Sequence, residues 1–558
     1  MKEKLTPRRQ AAKAQRKDER RKEKSIGSFF FPNPASSLVC AFALNFFLIF
    51  FFTFQYQAQT YVNPVIAGDF PDPSVIRVGE DYYATATTGG WSPHFPLLHS
   101  KDLINWEIIG AVFSEKPAWA KGDFWAPEII ADKNRYFVYY TARRDEGKNK
   151  KGTLCVAVAV AEKPQGPYTD RGALVCQEMG SIDAFFVRDE NDKPFLIWKE
   201  DGNDRQQPTW LYAQQLDESG TRLIGKAKKM FRNDAQWENH VVEGSYIVRR
   251  DGWFYHFYSG NACCGRGCNY ALGVARSKTL LGKWEKNPAN PILAANQTWQ
   301  CPGHGSLVQT PDGRDFLLYH AYRRRSDAFN IGREALLDEV KFRDGWAVIN
   351  EGRGASNGAA VPLAGTKQRM FFGLNDEFNE NLLAPKWTYP LSNVQNIRLD
   401  GGFLTIAPAE KQLTTEKMPE IVVAERTVSG TYTATTRIDF AKLGSDEYAG
   451  ISAYSWRTEA VGISIGNGKI FIWRRAQGKH QEVASAALPK SATAILLRIE
   501  AKEGENFQFS FSPDGKSWQT IGDKIITGNV EGARVALVYN GKTTRSGARF
   551  DWLRVEPK

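Results

Sequence analysis

"PDPSVIRVGEDYYATATT", residues 71–88, reads as a short apolar strand, a tight turn and a second, aromatic strand. The pattern returns as "APEIIADKNRYFVYYTAR" from 126, "DAFFVRDENDKPFLIWKE" from 183, "EGSYIVRRDGWFYHFYSGN" from 243 and "GHGSLVQTPDGRDFLLYHAY" from 303. Each copy is headed by a polar residue: Asp72, Glu128, Asp183, Glu243 and His304, spaced 56, 55, 60 and 61 positions apart. A second pattern runs out of phase with the first, in "LLHSKDLINWEIIG" from 97, "VAVAEKPQGPYTDRG" from 158 and "LGVARSKTLLGKWEKN" from 272. Two strands from each pattern make a four-stranded unit. Five such units of about 60 residues suit a β-propeller, whose blades close radially around a channel. Residues 61–355 are therefore expected to form a five-bladed β-propeller.

A propeller gives Asp72 a purpose beyond shaping its turn. The innermost strand of each blade lines the channel, so the five leading polar residues are expected at the same blade position, converging at one end. Carboxylates buried together are costly unless their charge states are used. Two of them facing across a pocket suffice for cleaving a glycosidic bond, one as proton donor and one ionised, and a third nearby raises the donor's pKa.

The 558 residues exceed one ordinary domain, and 13% aromatic content in Trp- and Tyr-rich runs favours strands. The formal charge of +11 is concentrated at one end: residues 1–24 hold eleven Lys or Arg against four acids. A basic arm (1–35) is followed by an apolar run, "SSLVCAFALNFFLIFFFTF" at 36–54, and roughly 18 apolar residues can cross a bilayer with the preceding positive charge left inside. Segment 36–57 is thus a signal peptide or a membrane anchor, and the rest is expected to be exported: secreted, periplasmic or held at the outer face of a membrane. A nucleic-acid-binding tail is the weaker reading, because the greasy run follows the basic arm so closely.

Of seven cysteines, Cys40 lies in the apolar run, leaving Cys155, Cys176, Cys263, Cys264, Cys268 and Cys301, an even set for an oxidising compartment. "CCGRGC" at 263–268 reads as disulfide cysteines rather than half a metal site, since no second Cys/His cluster accompanies it. Their connectivity stays open.

"FPDPSV" at 70–75, "DFWAPEI" at 123–129, "SIDAFFV" at 181–187, "VVEGSYIV" at 241–248, "GHGSLV" at 303–308 and "GREALLDEVKF" at 332–342 together resemble the blade signatures of glycoside hydrolase family 43. The resemblance implies Asp72 as the general base, Asp183 as pKa modulator and orienter, and Glu243 as the general acid. It makes Arg333 a sugar-contacting arginine, against the alternative of a surface strand residue. His304 becomes a channel histidine near a hydrated structural Ca2+, or else a satisfied core histidine; no cofactor is required for the chemistry itself. The family inverts configuration, for which acid and base stand roughly 6.5–9.5 Å apart. Trp125 and Trp91 are candidates for stacking on sugar, the alternative being packing between blades, and Glu128 is expected to be structural or to support the site from behind the residues that touch sugar.

After a linker at 356–368, residues 369–558 alternate strands with turns, as in "GGFLTIAP", "AVGISIGNGKIFIWRR" and "SPDGKSWQTIG", which argues a β-sandwich. This half resembles the concanavalin A-like (lectin-like jelly roll) domain of the family's β-xylosidases, which either closes the pocket or binds sugar separately. The fold class is therefore all-β, a propeller followed by a sandwich. The expected activity is release of xylosyl or arabinofuranosyl units from plant-cell-wall saccharides, β-xylosidase before α-L-arabinofuranosidase before endo-arabinanase. A non-catalytic sugar-binding propeller is the alternative of another kind. No nucleic-acid partner is expected, and contact with a membrane only through the N-terminal segment.

Overall fold

A computed structural model describes residues 59–147, 150–369, 373–390, 395–408, 420–455, 459–490, 492–527, 530–541 and 547–558. The basic arm and apolar run lie outside these residues; among the described residues no helix is long and apolar enough to cross a membrane.

Five four-stranded antiparallel sheets follow one another along the chain. Their inner strands are Ser74–Val78, Ala120–Asp132, Ser181–Arg188, Val242–Arg250 and Trp299–Gln309. Each inner strand touches the next, and the fifth touches the first, so the sheets close a ring. The second strands explain why the sequence reads as aromatic there: Arg135–Arg144, Pro194–Glu200, Trp253–Gly260 and Asp315–Arg323 are buried almost throughout, because neighbouring sheets cover both faces. Between the first and second sheets the packing residues include Phe95, Phe124, Val138 and Tyr140, and between the fifth and first Val75, Tyr82, Phe316 and Leu318.

The ring is fastened by its ends. Thr60–Val62 pairs with Gly358–Ala360, and the Asn63 amide nitrogen donates to the carbonyls of Leu337 (3.0 Å) and Ser356 (3.2 Å). Part of the stretch expected as linker is therefore a paired strand.

The C-terminal half is a sandwich of a seven-stranded and a six-stranded antiparallel sheet. Ala494–Lys502, "AILLRIEAK", shows the cause: alternate residues are buried, as the period of two along a strand requires for one covered face. Ile451, Ile463, Leu497, Phe509 and Leu537 meet between the sheets.

Propeller and sandwich are joined by backbone and by cations on rings. Trp91–Ser92 pairs with Tyr389–Pro390, and the short helix Ala328–Ile331 docks through Gly532 N to Phe329 O (2.8 Å) and Ala533 N to Asn330 O (2.7 Å). Arg426 lies 4.2 Å over Phe70 and Arg534 4.1 Å over Trp91.

Candidate active site

One backbone device recurs in every blade. Pairing between inner and second strand slips between Trp125 and Glu128, Ile182 and Phe185, Glu243 and Tyr246, and Gly303 and Ser306. The residue opening each bulge is left-handed: Ala126 (φ 41°), Asp183 (55°), Gly244 (63°) and His304 (45°). In the first blade Asp72 (φ 53°), just ahead of the paired Ser74, takes that place. Such conformations are uncommon for residues other than Gly and need support from their surroundings. Here the preceding blade supplies it. The N–H of Ala126 is accepted by Thr87 Oγ1 (2.6 Å), that of Asp183 by Thr141 Oγ1 (3.2 Å) and that of His304 by Ser259 Oγ (2.9 Å). The N–H of Asp72 is accepted by His320 Nδ1 (3.1 Å), which carries the pattern from the fifth blade back to the first.

The fourth blade breaks the pattern. Opposite Ile182, where the other blades have Thr141, Ser259 and His320, stands Lys199, which can only donate. The Gly244 N–H is accepted instead by Asp183 Oδ2 at 3.0 Å. Lys199, with no solvent exposure, turns its ammonium to Asn203 Oδ1 and to Glu243 Oε2, 3.3 Å away.

This geometry corrects the expectation of one shared position for all five polar residues. Asp72, Asp183 and His304 occupy it. Glu243 stands one residue ahead of its bulge, and Glu128 two residues beyond Ala126. Sequence spacing hides the offset because a bulge adds residues without altering the apolar pattern. Glu128 is buried with Oε1 unpartnered among the described groups, and burial raises its pKa well above the usual carboxylate range.

Asp72, Asp183, Glu243, Arg333, His304, Trp125 and Trp91 all line one cavity of about 510 Å3. The Asp72 carboxylate accepts from Thr87 Oγ1 (2.7 Å) and Arg333 Nη1 (2.9 Å). Burial pushes its pKa up, but Arg333 and His304 outweigh burial and hold it well below the usual range. Asp183 accepts the Gly244 N–H but has no arginine partner among the described residues: burial, with Glu243 and Asp72 nearby, raises it to about 7 against the opposing pull of His304. Glu243 is pulled the other way. Burial is outweighed by the Lys199 charge and by donors on Asn203 (2.9 Å) and Tyr270 (2.9 Å), so its pKa is lowered. The residue expected to carry a raised pKa is thus lowered, and Asp183 is the one raised.

Arg333 is aimed by its own backbone: its N–H donates to Asp69 Oδ1 (3.0 Å), and Gly332 before it has φ 103°. A Cβ at Gly332 would run into the Asp69 carboxylate, so only glycine fits. His304 Nδ1 lies 3.5 Å from Asp72 Oδ1 and 3.8 Å from Asp183 Oδ2, between the carboxylates. Among the described residues no group of three or more His, Cys, Asp or Glu side chains is arranged to hold a metal ion. No step is derived through an ion.

Trp125 is half-buried on the cavity wall. Trp91 differs: it is 3% exposed, Arg534 covers one face and Tyr454 meets its edge, so its ring serves the junction with the sandwich rather than an open stacking face. The sandwich adds Ser455, Glu531 and Gly532 to the cavity wall. Thr87, Lys199, Asn203 and Tyr270 were not singled out from the sequence. A lysine inside "PFLIWKE", an otherwise apolar buried strand, was the one signal available.

The family profile described as Glycosyl hydrolases family 43 matches residues 61–347, and that described as Beta xylosidase C-terminal Concanavalin A-like domain matches 375–556. The chain is 27% identical over 495 residues to a xylosidase/arabinosidase 43B of Humicola insolens, covering 82% of this chain and 88% of that protein. It is 24% identical over 526 residues to a non-reducing end alpha-L-arabinofuranosidase of Bacteroides ovatus, covering 88% and 94%. A crystal structure of the GH43 BlXynB protein from Bacillus licheniformis superposes with a TM-score of 0.77 at 25% identity, over 90% of this chain and all of that one.

Proposed function

The chain belongs to glycosyl hydrolases family 43, and from that premise we propose that it releases xylosyl or arabinofuranosyl units from hemicellulose saccharides by a single inverting displacement, acting as a β-xylosidase before an α-L-arabinofuranosidase. One observation carries this reading: three carboxyls from three different blades line one cavity, Asp183 raised by burial and its neighbours while Asp72 and Glu243 are lowered by the cations beside them. Sandwich residues in the cavity wall favour action on chain ends over an open cleft.

Ionised Asp72, oriented by Thr87 and Arg333, takes a proton from the attacking water as its oxygen joins the anomeric carbon. Below about pH 7 Asp183 and Glu243 hold one proton between them. When the shared proton is on Glu243, a leaving oxygen docked there receives it as the glycosidic bond breaks, and both carboxyls end ionised. Lys199 then offsets the charge that develops on Glu243, which makes the glutamic acid a stronger donor in the transition state. Arg333, fixed by Asp69 and Asp72, is the residue we assign to the sugar hydroxyls, with Trp125 on the cavity wall.

The basic arm with its apolar run, and three disulfides (Cys155–Cys176, Cys263–Cys264, Cys268–Cys301), support action outside the cytoplasm. The test is a panel of aryl β-D-xylopyranosides and α-L-arabinofuranosides with product configuration read by NMR. Hydrolysis of neither, or products of retained configuration, overturns the proposal.

A further inference from the structure

The turn between Gly260 and Ala271 is not used by the chemistry above, yet it forms part of the cavity wall through Cys263, Cys264 and Gly265. Cys263 and Cys264 are bonded to each other. The turn is held from three sides. Cys268 is bonded to Cys301 at the fifth inner strand, the Gly265 N–H donates to Tyr322 Oη (3.3 Å), and Arg266 reaches Glu505 (3.6 Å) and Glu531 (4.0 Å) of the sandwich. Cys263 packs on the apolar cluster of Tyr270, Cys301, Tyr322 and Ala328, while Cys264 is exposed. The turn ends at Tyr270, whose hydroxyl donates to Glu243 Oε1 at 2.9 Å.

That last contact places one end of the turn beside Glu243. Glu243 serves the leaving oxygen, so the unit departing with that oxygen lies on the Glu243 side of the cavity. A bonded pair of sulfurs has no strong donor, and its polarisable surface favours dispersion contact with C–H groups over water. A sugar ring offers such a C–H face. Resting on the glycosidase reading above, we propose that the Cys263–Cys264 pair is a wall of the subsite that receives the leaving sugar, its sulfurs packed against the C–H face of that ring.

The experiment uses the full chain and the disaccharide it cleaves, made with a sulfur-linked, uncleavable bond. Reduction of Cys263–Cys264 by a phosphine, followed by alkylation and peptide mass spectrometry, is expected to slow about ten-fold with the analogue bound, with Cys155–Cys176 as the internal control. In parallel, C263S/C264S is compared on the natural disaccharide and on the glycosyl fluoride of the same sugar, which has no leaving sugar. The loss in kcat/KM on the disaccharide is expected to exceed that on the fluoride by about ten-fold. Cleavage by the wild type without protection, or equal losses on both substrates, overturns the proposal while leaving the glycosidase reading standing. A wild type that cleaves no glycoside overturns both.

Discussion

Lys199 Nζ lies 3.3 Å from Glu243 Oε2, and the lysine has no exposure to solvent. The pairing follows from a break in the capping pattern of the blades: a donor-only side chain cannot accept the Gly244 N–H, so it is left to serve the carboxylate instead. Removing one partner of a buried pair typically costs about 3–5 kcal/mol, because the other charge is stranded. Lys199→Met should therefore lower Tm markedly and leave Glu243 protonated to higher pH. Its rate loss should be larger on disaccharides than on aryl glycosides with good leaving groups; equal losses on both would detach Lys199 from proton delivery.

Asp72 and Glu243 should separate by leaving group. Loss of a general base or acid typically costs about 10²–10⁴-fold. Asp72→Ala is expected to lose activity on every substrate, since water activation is always needed. Glu243→Ala should lose most on alkyl or sugar leaving groups and retain measurable rates on a glycosyl fluoride. Circular dichroism should show both variants folded. Near-normal rates in either would remove the assigned role.

The pH profile of kcat/KM should be bell-shaped. With Asp183 raised to about 7, the pair loses its proton as pH rises through that value, and the rate falls. The acid limb is set by Asp72, held well below its usual 3.8, so activity should persist into distinctly acidic buffer. Stability follows the same signs. Asp72, depressed in the folded state, contributes stability above 3.8 that is lost as pH falls through its folded value. Asp183, raised when folded, costs stability progressively between 3.8 and about 7. Thermal melts of the wild type and Asp183→Asn across that window should converge at the acid end; parallel curves would count against this assignment.

Gly332→Ala tests how Arg333 is aimed. The added methyl meets the Asp69 carboxylate and must also adopt φ 103°. Strain of this kind typically costs about 1–3 kcal/mol. Arg333 should lose its hold on Asp72, so kcat/KM should drop together with Tm, while the aromatic circular dichroism of the sandwich stays unchanged. A variant with wild-type Tm and kinetics would show that the loop relaxes freely.

The repeats were legible because strand alternation and aromatic second strands leave a pattern that chemistry alone imposes. Asp72, Asp183 and Glu243 were legible through the motifs around them, and they do line one cavity. The bulges were not. Their opening residues, Ala126, Asp183, Gly244 and His304, and Asp72 in the equivalent place, share no chemical character, only a backbone conformation set by hydrogen bonds from the preceding blade. Glu128 and Glu243 were therefore aligned with positions they do not hold. Trp91 could not be separated from a sugar platform, because the residue that covers it, Arg534, lies more than four hundred positions away. Lys199 was visible as an anomaly, but its partner was set by folding.

His320 meets the N–H of Asp72 across 248 positions of chain. A ribosome must deliver the fifth sheet before the first residue of the chemistry acquires its support, and Arg333 emerges later still. Shortened chains ending before Arg333, about three-fifths of the way along the 558 residues, should be catalytically silent, so activity begins only once the last sheet has closed the ring.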